Sequence, residues 1–298
     1  MKTYSPIAIF CYSRKDKLEN LINSLLINKE AVSTKTYFFV DLNIDDPQIT
    51  ENILEYINKI DGFLDKKIIL RDKNFGLKKN IMTGIDYVFE TEETIICLED
   101  DLIVDEYFLM YMNTCLSYFK GNKKIWHING WNYPQWRFQK PKVIVGRLMN
   151  SWGWATWKDR WIHNNERSKN LISSLSKKEK SKFNFYNLTN WEQQLIDNQI
   201  KKISTWAIFW YQTIFLNNGL TLYPSKSLVF NSGMDGTGTN SGVTRLYNSK
   251  LKQQKIIKLP TKIYEDKIQI FYTIVFYSLF NITKRIKYLK NKFSYLKV

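Results

Sequence analysis

The segment TIICLEDDLIVDEYF, residues 94–108, joins a short apolar run to three consecutive acidic residues and then to a second apolar run. The run TIICL has the length of a buried strand, and the residues after the acids have helical spacing. Two like charges about 4 Å apart repel by roughly 4 kcal/mol at an effective dielectric constant of about 20. Because the chain carries a formal charge of +16, three acids kept together at the end of a strand indicate a site for a cation.

The segments around this one alternate between strand-like and helix-like patterns. Short apolar runs at residues 6–11, 36–40, 67–70, 94–98 and 124–128 are predicted as strands, and the segments between them have helical spacing. In the first of these, Leu18, Leu21, Ile22, Leu25 and Leu26 fall on one helix face. Repeated strand–helix units predict an α/β fold with a mostly parallel sheet covered on both faces.

Charged side chains follow three of the predicted strands. Arg14 comes after the first strand, Asp41 after the second, and Glu99, Asp100 and Asp101 after the fourth. Ligands of such sheets bind beyond the carboxyl ends of the strands, so we expect these residues on one rim. Consecutive acids there suit Mn²⁺ or Mg²⁺, held by one or two carboxylates with a diphosphate filling other positions. The alternative, an acid that favours a helix N-terminus, accounts for one acid and not for three.

Several short motifs share their order with a known family. They are CYSRKDKLENLINSLL, RDKNFGLKKNI, CLEDDLIVDEYFLMYM, INGWN, SWGWATWKDRW, STWAIFWY and LTLYPSKSLVFNSGMDGTGT. Over roughly residues 5–245 the sequence resembles glycosyltransferases of the GT-A, or Rossmann-like, fold. The resemblance is to the branch that contains N-acetylglucosaminyltransferase I, which starts complex N-glycans, and its bacterial relatives.

This resemblance implies a nucleotide-sugar donor, a divalent metal and roles for individual residues. Asp101 would be the direct metal ligand, Asp100 and Glu99 would lie near the sugar and ribose of the donor, Arg14 would hold the nucleotide, and Asp41 would meet the base or ribose. The NFGL motif would shape the floor of the donor site, which makes Asn74, Gly76 and Lys78 further candidates; a solvated charge is an equal alternative for Lys78.

The tryptophan-rich segments suggest an acceptor cleft, because aromatic faces stack on sugar rings. Trp154 matches the family's Gly-Trp element beside the sugar, and Trp131 is a second candidate, whereas Trp157 and Trp161 are expected in the core. His127, inside a predicted strand, is expected to be a hydrogen-bonded core residue.

A catalytic base is missing from its expected position. An inverting transferase needs a carboxylate to accept the proton of the acceptor hydroxyl, and in the eukaryotic relative an Asp directly follows a Trp. The corresponding segment here is STWAIFW, with Ala207 and Ile208 in those positions. Among the remaining acids, Asp235, in a Gly-rich loop, is favoured as the base over Glu192 and Asp159. Each has a structural alternative: Asp235 as a turn former, Glu192 as a solvated helix residue, and Asp159 as a member of a surface ion pair. A retaining mechanism, which needs no such base, stays open.

The C-terminal part of the chain has the composition of a membrane-surface helix. From Lys267 to the end there are seven Lys or Arg residues and no acid, with apolar residues at helical spacing. The alternative is a helix docked on the domain with solvated lysines. We therefore predict a nucleotide-sugar-binding half at 1–130, an acceptor-binding and catalytic half at 131–260, and a basic amphipathic tail at 261–298.

These features predict a metal-dependent glycosyltransferase of the hexosyl or N-acetylhexosaminyl class. It would move a sugar from a nucleotide-sugar donor to a glycan or lipid-linked acceptor in bacterial surface polysaccharide synthesis. No signal peptide or long apolar span is evident, and Cys11, Cys97 and Cys115 lie in apolar segments, so we expect a cytoplasmic protein peripheral to the inner face of the membrane. A non-catalytic carbohydrate-binding relative and a basic nucleic-acid-binding protein are the alternatives, although no nucleic-acid-binding motif supports the second.

Overall fold

A computed structural model describes residues 4–134, 141–164, 169–233, 251, 253, 255 and 258–294, with side chains of the last helix described to residue 286. Eight strands form the main sheet, and two short strands form a second sheet. The main strands are β1 (Ile7–Cys11), β2 (Lys35–Val40), β3 (Asp65–Leu70), β4 (Thr94–Glu99), β6 (Ile125–Asn129), β7 (Val143–Gly146), β8 (Trp154–Trp157) and β9 (Leu220–Pro224). The short pair consists of β5 (Leu102–Val104) and β10 (Val229–Asn231).

Helices flank the sheet and use the apolar spacing seen in the sequence. Helix α1 buries Leu18, Leu21, Ile22 and Leu25, and helix α2 begins at Pro47 with the Asp46 side chain accepting from the Gln48 N–H. The helices are α1 (Lys15–Leu26), α2 (Pro47–Lys59), α3 (Gly76–Phe89), α4 (Phe108–Phe119), α5 (Lys158–Trp161), α6 (Lys177–Phe183), α7 (Trp191–Gln199), α8 (Ala207–Leu216) and α9 (Lys267–Ser294).

The main sheet is mostly parallel, as predicted, and all five predicted strands are present. Its strand order is β3-β2-β1-β4-β8-β6-β9-β7. Strands β3, β2, β1 and β4 are parallel neighbours, as are β6 and β9, whereas β8 and β7 run antiparallel to their neighbours. The fold is therefore a mixed α/β fold with an eight-stranded, helix-flanked sheet and a C-terminal helix, which confirms the predicted fold class.

Strand β8 joins the two predicted halves of the chain. It lies between β4 and β6, both from the first 130 residues. The small sheet also crosses this boundary, because β5 pairs antiparallel with β10 and Leu102 lies opposite Asn231. The sheet is thus continuous across the boundary predicted at residue 130, and the functional division into halves stays a prediction.

The cysteines and the helix lengths bear on two expectations from the sequence, reduced thiols and the absence of a membrane span. All three cysteines are buried and free, as the sequence indicated. Among the residues that the structure describes, no helix is both long enough and apolar enough to cross a membrane.

Candidate functional site

The acidic segment lies where β4 ends and the chain turns into β5. Strand β1 is the parallel neighbour of β4, with Phe10 opposite Glu99, so residues just after both strands meet at one rim. Arg14 Nη2 lies 2.5 Å from Asp100 Oδ1, and Arg14 Nη1 lies 3.1 Å from Asp101 Oδ2. Arg14 and the acids therefore lie together, as the strand order predicted, and the cation beside Asp100 and Asp101 is Arg14 itself.

Electrostatics at this rim are dominated by burial and by the crowding of acids. Burial opposes the charge of Arg14, but Asp100 and Asp101 outweigh it and raise the pKa of Arg14 above its ordinary value. Burial raises the pKa of Asp100 to about 6, and Arg14 partly offsets this rise. Burial, followed by the charges of Asp101 and Asp100, raises the pKa of Glu99 to about 8. Arg14 is thus paired with two of three crowded carboxyl groups, so acids outnumber cations in this cluster.

The segment after β10 covers Asp101. The backbone N–H and the hydroxyl of Ser232 both donate to the Asp101 carbonyl oxygen, each at 2.8 Å, and Lys17 Nζ donates to the Ser232 carbonyl oxygen at 3.0 Å. A Cβ atom on Gly233 would lie 2.2 Å from Asp101 Oδ2 and 3.2 Å from Arg14 Nη1. Only glycine fits there without displacing the ion pair. Ser232 and Gly233 belong to the motif LTLYPSKSLVFNSGMDGTGT, and no local pattern in that motif predicts their contact with Asp101.

Glu99 borders a narrow crevice, too small to hold a water molecule, whose lining includes Ser151, Trp154 and Trp206. The Trp154 ring is buried and stacks on Trp206, with ring centroids 5.4 Å apart. The Trp131 ring is also buried and packs edge-on against Trp152 at 5.2 Å. Sugar stacking needs an exposed ring face, so the arrangement favours packing for both tryptophans, and their acceptor role stays a prediction. Ser151 and Trp206 are crevice residues that the sequence analysis did not select.

A buried polar network supports the Trp154 ring from within the sheet. His127 is buried and stacks on Trp154 with ring centroids 5.0 Å apart. Trp210 Nε1 donates to His127 Nδ1 at 3.1 Å, so the proton lies on Nε2, which faces Asn129 Oδ1 at 3.0 Å. Burial lowers the pKa of His127 to about 3. His127 is therefore a neutral core residue, as the sequence analysis expected.

Asp41 lies at the start of helix α3. Its two carboxylate oxygens accept from the Phe75 and Gly76 N–H groups at 2.7 and 2.8 Å. The Asn74 side chain also accepts from the Gly76 N–H, and its amide donates to the Tyr12 hydroxyl at 3.3 Å. Gly76 has φ +71°, a value that favours glycine, and nothing lies within 4 Å of a Cβ built on it. The NFGL motif therefore forms a capped helix start beside open space, while contact with a nucleotide stays a prediction.

Lys78 is held by packing. Its Nζ lies 3.9 Å from the centroid of the Phe209 ring in α8, and burial lowers the pKa of Lys78. Lys78 is half-buried in this contact, and its role at the donor site stays a prediction. Lys78 links α3 to the first turn of α8, the segment that begins with Ala207 and Ile208.

Two of the three candidate bases, Asp159 and Glu192, lie within the described residues, and both form ion pairs. Strand β8 runs antiparallel to β4 with Trp157 opposite Thr94, so Asp159 lies near the amino end of β4. At roughly 3.3 Å per residue this end is about 16 Å from Glu99, and Asp159 is paired with Lys123 and Arg160. This separation argues against Asp159 as the base. Glu192 forms an ion pair with Lys180 at 2.8 Å, and Asp235 lies outside the described residues.

The residues at the rim fit a metal ion that takes one ligand from the protein and its other ligands from a bound diphosphate and waters. In the parts of the chain that the structure describes, no group of three His, Cys, Asp or Glu side chains is arranged to hold a metal ion. Asp101 directs one oxygen at Arg14, which leaves the second oxygen of the same carboxylate to coordinate. One carboxylate with diphosphate oxygens and waters is an arrangement that Mg²⁺ accepts. An all-protein metal cage does not fit these residues, whereas a single-carboxylate site does.

Comparisons with known proteins give a distant structural similarity. No protein-family model matches the chain, and no curated protein matches it. Three crystal structures of S. aureus TarS are similar at 12% sequence identity. TarS 1–349 covers 77% of this chain at a TM-score of 0.45, its complex with UDP-GlcNAc covers 75% at 0.46, and TarS covers 76% at 0.45. This chain spans 61%, 57% and 36% of those three structures, respectively.

Proposed function

We propose that this protein is a glycosyltransferase that binds a nucleotide-sugar donor at the rim formed by the carboxyl ends of β1, β2 and β4. The carrying observation is the ion-pair cluster of Arg14 with Asp100 and Asp101 at this rim. An arginine can hold diphosphate oxygens through its planar fork of donors. Acids beside it can hold the divalent ion that accompanies a diphosphate.

Each residue at the rim has a role in this proposal. Asp101 would be the protein ligand of Mn²⁺ or Mg²⁺, which would neutralise the charge that develops on the leaving nucleoside diphosphate. Arg14 would orient the same diphosphate, because it already lies against Asp101. Glu99 and Asp100 would lie nearer the sugar and ribose, and Asp41 would hold the start of α3 beside the base.

The proposed acceptor is a glycan or a lipid-linked glycan of the bacterial surface. The proposed reaction is hexosyl or N-acetylhexosaminyl transfer, and the second is the one that the resemblance to the N-acetylglucosaminyltransferase I branch implies. One of the similar solved structures holds UDP-GlcNAc, which makes UDP-GlcNAc the first donor to test.

A thermal-shift screen tests the donor site. UDP-, GDP-, CMP- and dTDP-sugars are added with and without Mn²⁺ to the wild type, to Asp101→Asn, and to a control, Asp61→Asn, at an exposed acid. A donor at a hundredfold excess over its Kd stabilises a protein by about 2.7 kcal/mol. We expect one nucleotide class to stabilise the wild type and the control in the presence of Mn²⁺, and not Asp101→Asn. Equal stabilisation of Asp101→Asn would overturn the site assignment.

Product analysis separates this function from the alternatives. Helix α8 begins with Ala207 and the buried Ile208, so the expected acid is absent from that position. A non-catalytic sugar-binding protein would bind the donor but would not transfer its sugar to an acceptor or to water, so no nucleoside diphosphate would be released. A nucleic-acid-binding protein would show no donor shift and would bind DNA with strong dependence on salt.

A further inference from the structure

Helix α9 is docked on the domain through one of its faces. Tyr272 and Phe276 are buried, and the Phe276 ring lies 5.1 Å from the ring of Tyr133. Gln269 Nε2 donates to Asn132 Oδ1 at 2.8 Å. These contacts fix the first half of the helix against the sheet, next to β7.

A second, exposed apolar face runs along the same helix. We call it the α9 stripe, and its residues are Ile268 (40% exposed), Phe271 (59%), Leu279 (40%), Ile282 (55%) and Ile286 (49%). At 100° per residue these positions share one side of the helix, roughly a third of a turn from the docked face. The docked face alone accounts for the packing of α9, and the stripe stays exposed among the residues that the structure describes.

The helix continues past its docking contacts. Asn281 Nδ2 donates to the Leu188 carbonyl oxygen at 2.9 Å, and every residue from 281 to 286 is exposed. Lys284 and Arg285 lie in this exposed part. The segment from Lys267 to the end contains seven Lys or Arg residues and no acid. The exposed part of the helix therefore combines apolar side chains with positive charge that no acid of the same segment balances.

We propose that the α9 stripe binds an anionic lipid surface, with α9 lying in the plane of the membrane interface. Apolar side chains entering the headgroup boundary beside lysine and arginine are the pattern of helices bound in this way. Charge decides between a membrane and a second copy of the chain. A second α9 would bring further cations and no acid against the stripe, whereas anionic headgroups neutralise them.

Vesicle co-sedimentation of the full chain tests the stripe. The probes are vesicles of phosphatidylcholine alone and vesicles with about a third phosphatidylglycerol; we expect binding to the second only, weakened as NaCl rises from about 0.1 to about 0.5 M. The variant Phe271→Ser/Ile282→Ser/Ile286→Ser should lower the partition coefficient at least about tenfold. The matched control is Ile27→Ser/Val32→Ser/Leu64→Ser, at equally exposed positions outside α9, and it should bind as the wild type does. Circular dichroism and melting curves check that both variants are folded.

A charge variant and an oligomer measurement complete the test. Lys284→Gln/Arg285→Gln should weaken binding to anionic vesicles about tenfold or more, because each cation near such a surface contributes about 1 kcal/mol. The proposal would be overturned by equal binding to both vesicle types or by unchanged binding of the stripe variant. It would also be overturned if light scattering showed a dimer of the wild type that the stripe substitutions abolish. Vesicle binding does not depend on the donor site, so Asp101→Asn should bind vesicles as the wild type does, and either proposal can fail alone.

Discussion

Arg14 Nη1 and Asp101 Oδ2 lie 3.1 Å apart, although three helices and three strands separate the two residues along the chain. They meet because β1 and β4 are parallel neighbours and both residues follow the carboxyl ends of those strands. The acids that require a cation therefore have one within the chain. Because Arg14 also reaches Asp100, its guanidinium holds two like charges together at the rim.

Removing this guanidinium should cost both stability and ligand binding. Arg14→Met leaves Asp100 and Asp101 without their partner, and we expect the free energy of unfolding to fall by about 1–3 kcal/mol. Arg14→Lys should be intermediate, because an ammonium cannot bridge two carboxylates as a guanidinium fork does. Chemical denaturation measures the stability, and the thermal shift with a nucleotide sugar measures binding.

Lys15 provides the control for this prediction. It follows Arg14 directly and forms an exposed pair with Glu19 at 3.3 Å. Such a pair contributes less than about 0.5 kcal/mol, so Lys15→Met should be nearly neutral. If Arg14→Met were as stable as Lys15→Met, the ion-pair cluster would not hold the rim together.

A methyl group at Gly233 should displace the Asp101 carboxylate at the rim. In Gly233→Ala the new Cβ would lie 2.2 Å from Asp101 Oδ2, so either the carboxylate or the end of β10 must move. We expect a loss of about 1–3 kcal/mol of stability together with weaker donor binding. In the control, Gly121→Ala, the new Cβ meets nothing within 4 Å, and both properties should be retained. Donor binding by Gly233→Ala at the level of the control would mean that Asp101 does not need its present position.

Apart from β5, the strands and helices of the first 130 residues were predictable because their apolar residues form short continuous runs or repeat at helical spacing. Strand β1 is a continuous apolar run, and α1 repeats its buried leucines at helical spacing. The sheet order followed only in part, since no local pattern tells that β8, within a tryptophan-rich segment, enters the sheet between β4 and β6. The three-residue strands β5 and β10 are too short to carry a period.

The part of the site that was predictable consists of residues that directly follow the ends of parallel strands. Arg14, Asp100 and Asp101 each follow the end of a strand, so parallel pairing was enough to join them. The contact of Gly233 with Asp101 depends on the pairing of β10 with β5, across more than a hundred residues of sequence. Burial of Trp131 and Trp154 was likewise not readable, because the sequence of a tryptophan-rich loop does not reveal which ring faces are covered.

Asp41 offers a way to separate a structural role from a ligand-binding role. In Asp41→Asn one of the two acceptor oxygens becomes an NH₂ group facing the Phe75 or Gly76 N–H, so one hydrogen bond at the start of α3 is lost. We expect a loss of about 1–2 kcal/mol without any donor present. The control, Asp46→Asn, replaces the cap of α2 by an equally good capping residue and should be neutral. Unchanged stability with lost donor binding would instead assign Asp41 to the nucleotide alone.

His127 should make the fold sensitive to acid. Its folded-state pKa of about 3 lies below the value of about 6.5 expected for an unfolded chain. The unfolded chain alone therefore takes up this proton, so the stability from neutral His127 is complete above about pH 6.5 and is lost as the pH falls toward 3. His127→Gln cannot take up the proton, and its stability deficit relative to wild type should shrink by about 3 kcal/mol between pH 7 and pH 4. Urea denaturation at each pH measures this difference, with His163→Gln, at an exposed position, as the control. Stability curves of wild type and His127→Gln that stay parallel with pH would contradict a neutral, buried His127.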